Sequence, residues 1–365
     1  MKKNFVYRPE IDGLRALAIL PVILFHADFK NFEGGYIGVD IFFVISGYLI
    51  TSLIIHEINN GEFKLLNFYE RRARRILPVL FLVIILCIPF ALLMLLPADL
   101  ELFAESAIAS VTFWSNYIFY FDIDYFETSS KLKPLLHTWS LSIEEQFYIV
   151  FPILLILSQK ISKKKNFNFI LLTAILSLFL AQWGGNLKFS YPYFERDIIF
   201  FNQSKITNFF LPWGRIWELA IGIILAFFII KKKQPYYYNE LFCIIGLSLI
   251  IFSIFTFNQE SYHPGFITLL PTIGTALLIL FMNSKTFIYK IFSQKFLVFI
   301  GLISYSTYLF HYPIFTFIEY SDNISLKSSA KLLLIFIIFF ISFISWKYFE
   351  KPFRNNKQIS YKKFL

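Results

Sequence analysis

Two ionisable side chains, Arg15 and His26, lie eleven positions apart in an otherwise apolar run near the start of the chain. Eleven residues are close to three helical turns, so a helix would place both on one face, roughly 16 Å apart along its axis. Arginine is a permanent cation, whereas histidine exchanges a proton near neutral pH. Because ionisable groups at membrane depth are costly, the pair predicts a functional site. The alternative is that Arg15 reaches the headgroups and His26 packs near the opposite interface.

Carboxylates within later apolar runs could assist such an imidazole. Asp40 falls in the second run, and Glu144 and Glu145 follow His137 by about two turns. Adjacent side chains point about 100° apart on a helix, so at most one of the two glutamates faces a given cavity. Any of the three acids could orient His26 and stabilise its cation, and the sequence does not choose among them.

Four arginines follow the second apolar run: Arg71, Arg72, Arg74 and Arg75. Their charge predicts a cytoplasmic loop. The cluster could anchor lipid headgroups, but guanidinium groups also bind phosphates bidentately. It is therefore a candidate phosphate-binding site.

For several other polar residues a purely structural role is an alternative to a functional one. Arg215 and Glu218 have the spacing of an ion pair within one helix, which is as plausible as a catalytic role. His56 and His263 fall at loop edges, where we expect solvated side chains. Candidate substrate-binding residues cluster near the outer ends of two spans: His137, Trp139, Ser140, Tyr308 and His311. For His311, interfacial packing is the favoured interpretation.

Composition identifies the fold class as an all-α, polytopic integral membrane protein. The chain is 57% hydrophobic and 16% charged, with a mean hydropathy of +0.62. The net charge of +10 is carried in short blocks between apolar runs, which indicates membrane topology and no nucleic-acid partner. Cys87 and Cys243 form no readable disulfide framework. A Walker-type loop and a Cys/His metal cluster are missing from the sequence, so we expect neither an ATP-driven pump nor a metal site.

The apolar runs predict about ten transmembrane helices, at roughly 11–28, 37–55, 77–96, 141–157, 167–183, 208–230, 240–257, 265–283, 296–317 and 331–349. The positions of the basic blocks allow only an even number of crossings between the arginine cluster and residue 163, so 102–120 is predicted to be an interfacial or re-entrant outer helix. Both termini are predicted to be cytoplasmic. The longer loops 122–138 and 184–207 would form the walls of an outward-facing cleft. We expect one membrane domain, 1–355, and a cytoplasmic tail, 356–365.

Several segments, taken in order, resemble the signature blocks of the acyltransferase-3 family of bacterial inner-membrane O-acyltransferases. They read YRPEIDGLRALAILPVILFH, GVDIFFVISGYLI, FYERRARRILP, LLHTWSLSIEEQFY, RIWELAIG, ISYSTYLFHYPI and FEKPFR. The basic residue and histidine that mark the family fall on Arg15 and His26. The arginine motif of the family falls within residues 71–75.

The resemblance implies transfer of an acyl group, usually acetyl, from cytoplasmic acyl-CoA. The implied acceptor is a hydroxyl of an extracytoplasmic or lipid-linked glycan, such as lipopolysaccharide O-antigen, exopolysaccharide or peptidoglycan. Arg15 and the arginine cluster would hold the coenzyme A phosphates, with His26 at the thioester as base, because three helical turns are comparable with an extended pantetheine arm. Direct transfer and an acyl-histidine intermediate both stay open.

Many members of the family continue into a periplasmic SGNH hydrolase-like domain. This sequence stops at Leu365, so we expect no such domain, and a separate periplasmic partner protein could be needed to complete transfer. The alternative function is a proton-coupled transporter of a lipid or small anion, because intramembrane His, Glu and Arg also form proton relays. The paired half-repeats typical of many transporters are not visible in the sequence.

Overall fold

The computed structural model describes residues 7–121, 133–158, 163–183, 204–231, 238–321 and 327–354. Regular structure in these ranges is entirely helical, which confirms the all-α fold class. The chain divides into two compact units. The first unit comprises residues 1–62 and 150–298, and the second comprises residues 63–149 and 299–365.

The α-helices in chain order are α1 (Pro9–His26), α2 (Gly38–Asn59), α3 (Leu65–Met94), α4 (Pro97–Val111), α5 (Ser115–Phe121), α6 (Thr138–Ser158), α7 (Lys163–Trp183), α8 (Ser204–Phe210), α9 (Ile216–Lys231), α10 (Glu240–Thr256), α11 (Leu269–Phe281), α12 (Phe287–Phe292), α13 (Lys295–Ser321), α14 (Ser328–Ser345) and α15 (Lys351–Arg354). Between these helices the described ranges contain three 3₁₀ segments, Lys30–Ile37, Pro212–Gly214 and Phe266–Thr268, and a π-helical turn, Trp346–Glu350.

Among the described residues, five helical segments are long and apolar enough to cross a membrane: Lys30–Asn59, Leu65–Met94, Thr138–Leu157, Lys295–Tyr320 and Ser328–Arg354. Four apolar helices are shorter, at Phe167–Trp183, Ile216–Ile230, Glu240–Thr256 and Phe266–Phe281. The chain is therefore a multi-pass membrane protein by the character of its helices. The count of ten spans is not confirmed, and α1 belongs to neither group.

The first unit is built around close contact between α2 and α9. Gly47 of α2 and Gly222 of α9 provide this contact, because a Cβ on Gly47 would lie 2.0 Å from the carbonyl oxygen of Leu219. Small residues let membrane helices approach closely, and van der Waals packing then holds them together. α1 packs on α2 and on the Lys30–Ile37 segment, and α10 packs along α11.

The second unit packs α3 against α4, the π-helical turn and α15. A chain of buried hydroxyl groups joins α4, α5 and α6. Ser110 and Thr138 are 2.8 Å apart, Thr138 donates to Ser115 at 2.9 Å, and Ser115 and Ser142 are 2.7 Å apart. These bonds satisfy polar groups that would be costly to leave unpaired away from water.

Two sequence predictions about local structure are wrong. The arginine cluster is not in a loop, because α3 begins at Leu65 and contains it. Its residues are good helix formers, and Glu70 pairs with Arg74 four positions later. The segment 102–120 is not one helix, because α4 ends at Val111 and α5 begins at Ser115. Phe113 between them has a φ of 61°, a left-handed conformation that interrupts a helix.

Some predicted features fall outside the described residues. These are the tail 356–365 and most of the loops 122–138 and 184–207. The re-entrant position of α4 and α5 and the cleft walls stay predictions.

Candidate active site

The first turns of α1 hold Arg15 beside an acidic partner. Asp12 accepts from Arg15 Nη1 through Oδ1 at 3.3 Å and from the Tyr7 hydroxyl through Oδ2 at 2.6 Å. Glu10 and Asp12 lie in the first turn, where the helix dipole stabilises anions. The spacing of Asp12 and Arg15 could have predicted this pair from the sequence, but sequence reasoning did not single out Asp12.

Arg8 links the same end of α1 to two other helices by hydrogen bonds. It donates to Glu10 at 2.6 Å, to the Tyr48 hydroxyl of α2 at 2.8 Å and to the Ile279 carbonyl of α11 at 2.9 Å. Its side chain is buried. These hydrogen bonds join the start of α1, the helix that carries Arg15, to α2 and α11.

His26 lies in the last turn of α1 and is half-buried. The ring of Phe25 lies 5.0 Å from that of His26, and Phe25 in turn contacts the ring of Tyr36 at 5.7 Å. By contrast, the side chains of His137, His263 and His311 are buried.

A fully buried charge cluster lies in the first unit, at the N-terminal ends of α2 and α9. Arg215 Nη1 donates to Asp40 Oδ1 at 2.8 Å and to Glu218 Oε1 at 2.9 Å. The predicted contact between Arg215 and Glu218 is thus formed, and Asp40 supplies a second carboxyl group to the same nitrogen. Nε2 of His263 lies 2.9 Å from Asp40 Oδ2. Asp40 is engaged by Arg215 and His263, and its role as the partner of His26 stays a prediction.

The prediction that His263 is solvated is wrong. Its side chain is only 6% exposed, and its ring contacts that of Tyr36 at 4.7 Å. Burial lowers the pKa of His263 well below its usual range, and the nearby Arg215 cation lowers it further. The His263 ring is therefore neutral and completes the cluster through its hydrogen bond with Asp40.

The four arginines of the predicted donor site differ in burial. Arg74 is 1% exposed, donates to Glu70 Oε1 at 2.8 Å and lies 3.5 Å from the Phe353 carbonyl. Arg71, Arg72 and Arg75 are half-buried. Helical geometry turns Arg74 towards the interior, so the other three are better placed to meet a ligand phosphate.

Glu145 is the more buried of the two adjacent glutamates, at 4% exposure. Its Oε1 has no hydrogen-bond partner among the described residues, but it lies within electrostatic reach of Arg72 and Arg75. Glu144 accepts from the Tyr148 hydroxyl at 3.4 Å. His26 belongs to the first unit and both glutamates to the second, so their pairing stays a prediction.

The candidate substrate-binding residues of the second unit are brought together. His137 stacks on Tyr312 with ring centroids 5.3 Å apart and meets the His311 ring edge-to-face at 5.5 Å. The Tyr308 hydroxyl donates to the His137 carbonyl at 2.9 Å and lies 2.6 Å from Ser140 Oγ. Trp139 is buried too, at 5% exposure. Except for half-buried Tyr308, the cluster is buried, which fits packing, and its contact with a substrate stays a prediction.

A family model described as an acyltransferase domain matches residues 8–350. The chain therefore belongs to the acyltransferase-3 family, which confirms the resemblance seen in its motifs. Within the described ranges, no group of three or more His, Cys, Asp or Glu side chains could hold a metal ion.

Relatives of the chain are found in Staphylococcus aureus and Listeria monocytogenes. The Staphylococcus aureus (strain MSSA476) protein SAS0844 is 35% identical over 369 residues, which cover 97% of this chain and 58% of that protein. The peptidoglycan O-acetyltransferase OatA of Listeria monocytogenes (strain EGD-e) is 32% identical over 371 residues, covering 97% and 57%. The O-acetyltransferase OatA of Staphylococcus aureus (strain NCTC 8325) is 32% identical over 363 residues, covering 96% and 57%.

The chain thus spans somewhat more than half the length of these relatives. No solved structure matches it.

Proposed function

We propose that this protein is an O-acyltransferase that moves an acetyl group from cytoplasmic acyl-CoA to a hydroxyl of an extracytoplasmic or lipid-linked glycan. The observation that carries the proposal is the family match over residues 8–350, together with relatives named as O-acetyltransferases. Because one relative is named for peptidoglycan, a peptidoglycan fragment is the first acceptor to test. Lipopolysaccharide and exopolysaccharide are the next acceptors.

His26 is the proposed general base. Its half-buried position leaves the imidazole open to a reactant, and imidazole titrates near neutral pH. The acceptor hydroxyl gives its proton to the ring while its oxygen attacks the thioester carbonyl. The carbon–sulfur bond then breaks, and the coenzyme A thiolate takes the proton back. This direct transfer conserves protons and bonds, so it needs no further reactant.

Coenzyme A carries phosphates, which guanidinium groups bind through charge-assisted hydrogen bonds. Arg71, Arg72 and Arg75 fit this role because none is fully buried. In the first unit, Arg15 is a further candidate, with a side chain 17% exposed. Arg74 contributes indirectly, by fixing the helix that carries the other three.

The proposed location is the bacterial cytoplasmic membrane, with both termini in the cytoplasm and lipid against the exposed apolar faces of the helices. A separate periplasmic partner protein that completes the transfer is also part of the proposal.

The direct test uses the full chain in lipid vesicles with acetyl-labelled acetyl-CoA and a soluble peptidoglycan fragment. We expect label on the fragment and an equal amount of free coenzyme A thiol. Uptake of a lipid or anion driven by a proton gradient, without thiol release, would replace this proposal with the transporter.

A further inference from the structure

The buried cluster of the first unit has two carboxyl groups for one guanidinium group. Asp40, Glu218 and Arg215 all have fully buried side chains. With both carboxyl groups ionised and His263 neutral, the cluster would carry an uncompensated negative charge. Such a charge is expensive to hold away from water, so the cluster should bind one proton.

The His263 ring is a poor place for that proton. Its two nitrogens each lie 3.4 Å from a nitrogen of the Arg215 guanidinium group. A second cation at this distance is disfavoured by the first. The proton therefore belongs to one of the two carboxyl groups.

The hydrogen bonds distinguish the two carboxyl groups. Asp40 accepts from Arg215 at 2.8 Å and lies 2.9 and 3.2 Å from the His263 Nε2. Glu218 accepts from Arg215 alone, and its buried Oε2 receives no hydrogen bond from the described residues. Since accepted hydrogen bonds stabilise the ionised form, Asp40 is the carboxylate and Glu218 is the acid.

The two carboxyl groups are also neighbours, because both accept from the same nitrogen, Nη1 of Arg215, at 2.8 and 2.9 Å. Two carboxylates cannot bond to each other, whereas an acid can donate to a carboxylate. We propose that Glu218 is a buried proton-binding site, a neutral carboxylic acid that donates to ionised Asp40 while both accept from Arg215. The cluster is then neutral as a whole.

Among the described residues, the charged and titratable groups that influence Glu218 are Arg215, Asp40 and His263, and Tyr36 interacts with Asp40. Because of this proton, α2, α9 and the loop that carries His263 can pack together through charged side chains without burying a net charge. Losing the proton at alkaline pH would leave a net negative charge at the place where these elements meet.

The first test replaces the acid by its neutral isostere in the full chain, purified in detergent. Glu218→Gln keeps the cluster neutral without a proton, so we expect a thermal unfolding midpoint at least as high as that of the parent. The folded parent binds one proton more than the unfolded chain, so its stability falls as pH rises, and the variant lacks this contribution. The advantage of the variant should therefore grow from neutral to alkaline pH.

Glu350 supplies the matched control. It is equally buried but accepts from Ser306 at 3.1 Å and from Arg354 at 3.3 Å, as an ionised group does. Glu350→Gln should lower the midpoint already at neutral pH. If Glu218→Gln lowers it as much, or fails to fold, Glu218 is ionised and the proposal is overturned.

Infrared spectroscopy of the parent gives an independent answer. A carbonyl stretch of a protonated carboxylic acid should persist at neutral pH and shift in heavy water. The band should remain in a Glu145→Gln control and disappear in Glu218→Gln. A parent spectrum without any such band at neutral pH would also overturn the proposal.

Discussion

At the scale of single residues, we expect two arginines of α3 to have different roles: Arg74 stabilises the fold, and Arg72 binds coenzyme A. Arg74 is buried against Glu70, whereas Arg72 is half-buried and lies over the ring of Tyr148 at 5.8 Å. Arg74→Ala would leave Glu70 without its cation. We expect a loss of about 3 kcal/mol in the free energy of unfolding, measured by thermal unfolding in detergent.

Arg72→Ala should instead weaken binding of coenzyme A by about 1.5–3 kcal/mol, because it removes charge-assisted contacts to a phosphate. Lys at this position should restore only part of the affinity, since an ammonium group lacks the planar fork. Titration calorimetry with coenzyme A measures the affinity of the Arg72→Ala and Arg72→Lys variants. Equal affinity of Arg72→Ala and the parent would remove Arg72 from the donor site.

His263 shows what residue-by-residue reasoning misses. A histidine in a loop looks solvated, but its partners Asp40 and Arg215 are 223 and 48 positions away in the chain. Only tertiary packing brings these groups together. The Arg215–Glu218 pair was predictable because both residues lie within one helical turn of each other.

At the scale of elements, the contact between α2 and α9 depends on glycine. In Gly47→Ala the new methyl group would meet the Leu219 carbonyl at 2.0 Å, so the two backbones must separate. We expect a loss of about 3 kcal/mol in stability, seen as a lower unfolding midpoint.

Gly61→Ala is the control for this variant. Its Cβ would meet no atom within 4 Å, and its φ of +70° alone should cost about 1 kcal/mol. If Gly47→Ala unfolds at the same temperature as Gly61→Ala, the close approach of α2 and α9 is not what stabilises the first unit.

Hydropathy predicted most helices but not their interruptions. The predicted span 208–230 is divided into α8, the Pro212–Gly214 segment and α9, and α3 begins twelve residues before the predicted span at 77. Apolar runs indicate which segments can be buried. The points at which helices break or extend depend instead on local interactions, such as the Glu70–Arg74 ion pair. This is also why the number of spans could not be fixed from the sequence.

At the scale of the whole molecule, the topology can be tested with single cysteines. The native Cys87 and Cys243 are both buried, so they should give little background labelling. Glu260 and Lys285 are exposed near opposite ends of the α10–α11 pair. An impermeant thiol reagent added outside cells should label Glu260→Cys and leave Lys285→Cys unlabelled, because the basic blocks predict Lys285 on the cytoplasmic side. The reverse pattern would invert the proposed orientation.

The central claim is that His26 is the base of an acyltransferase, and one comparison tests it most directly. His56 is the matched control, because it is also half-buried and lies in the last turn of its helix, where it bonds to Asn60 at 3.2 Å. His26→Ala and His56→Ala are assayed in vesicles for acetyl transfer and by calorimetry for coenzyme A affinity. We expect His26→Ala to lose transfer while keeping coenzyme A affinity, and His56→Ala to keep both. Normal transfer by a stably folded His26→Ala protein would contradict the claim.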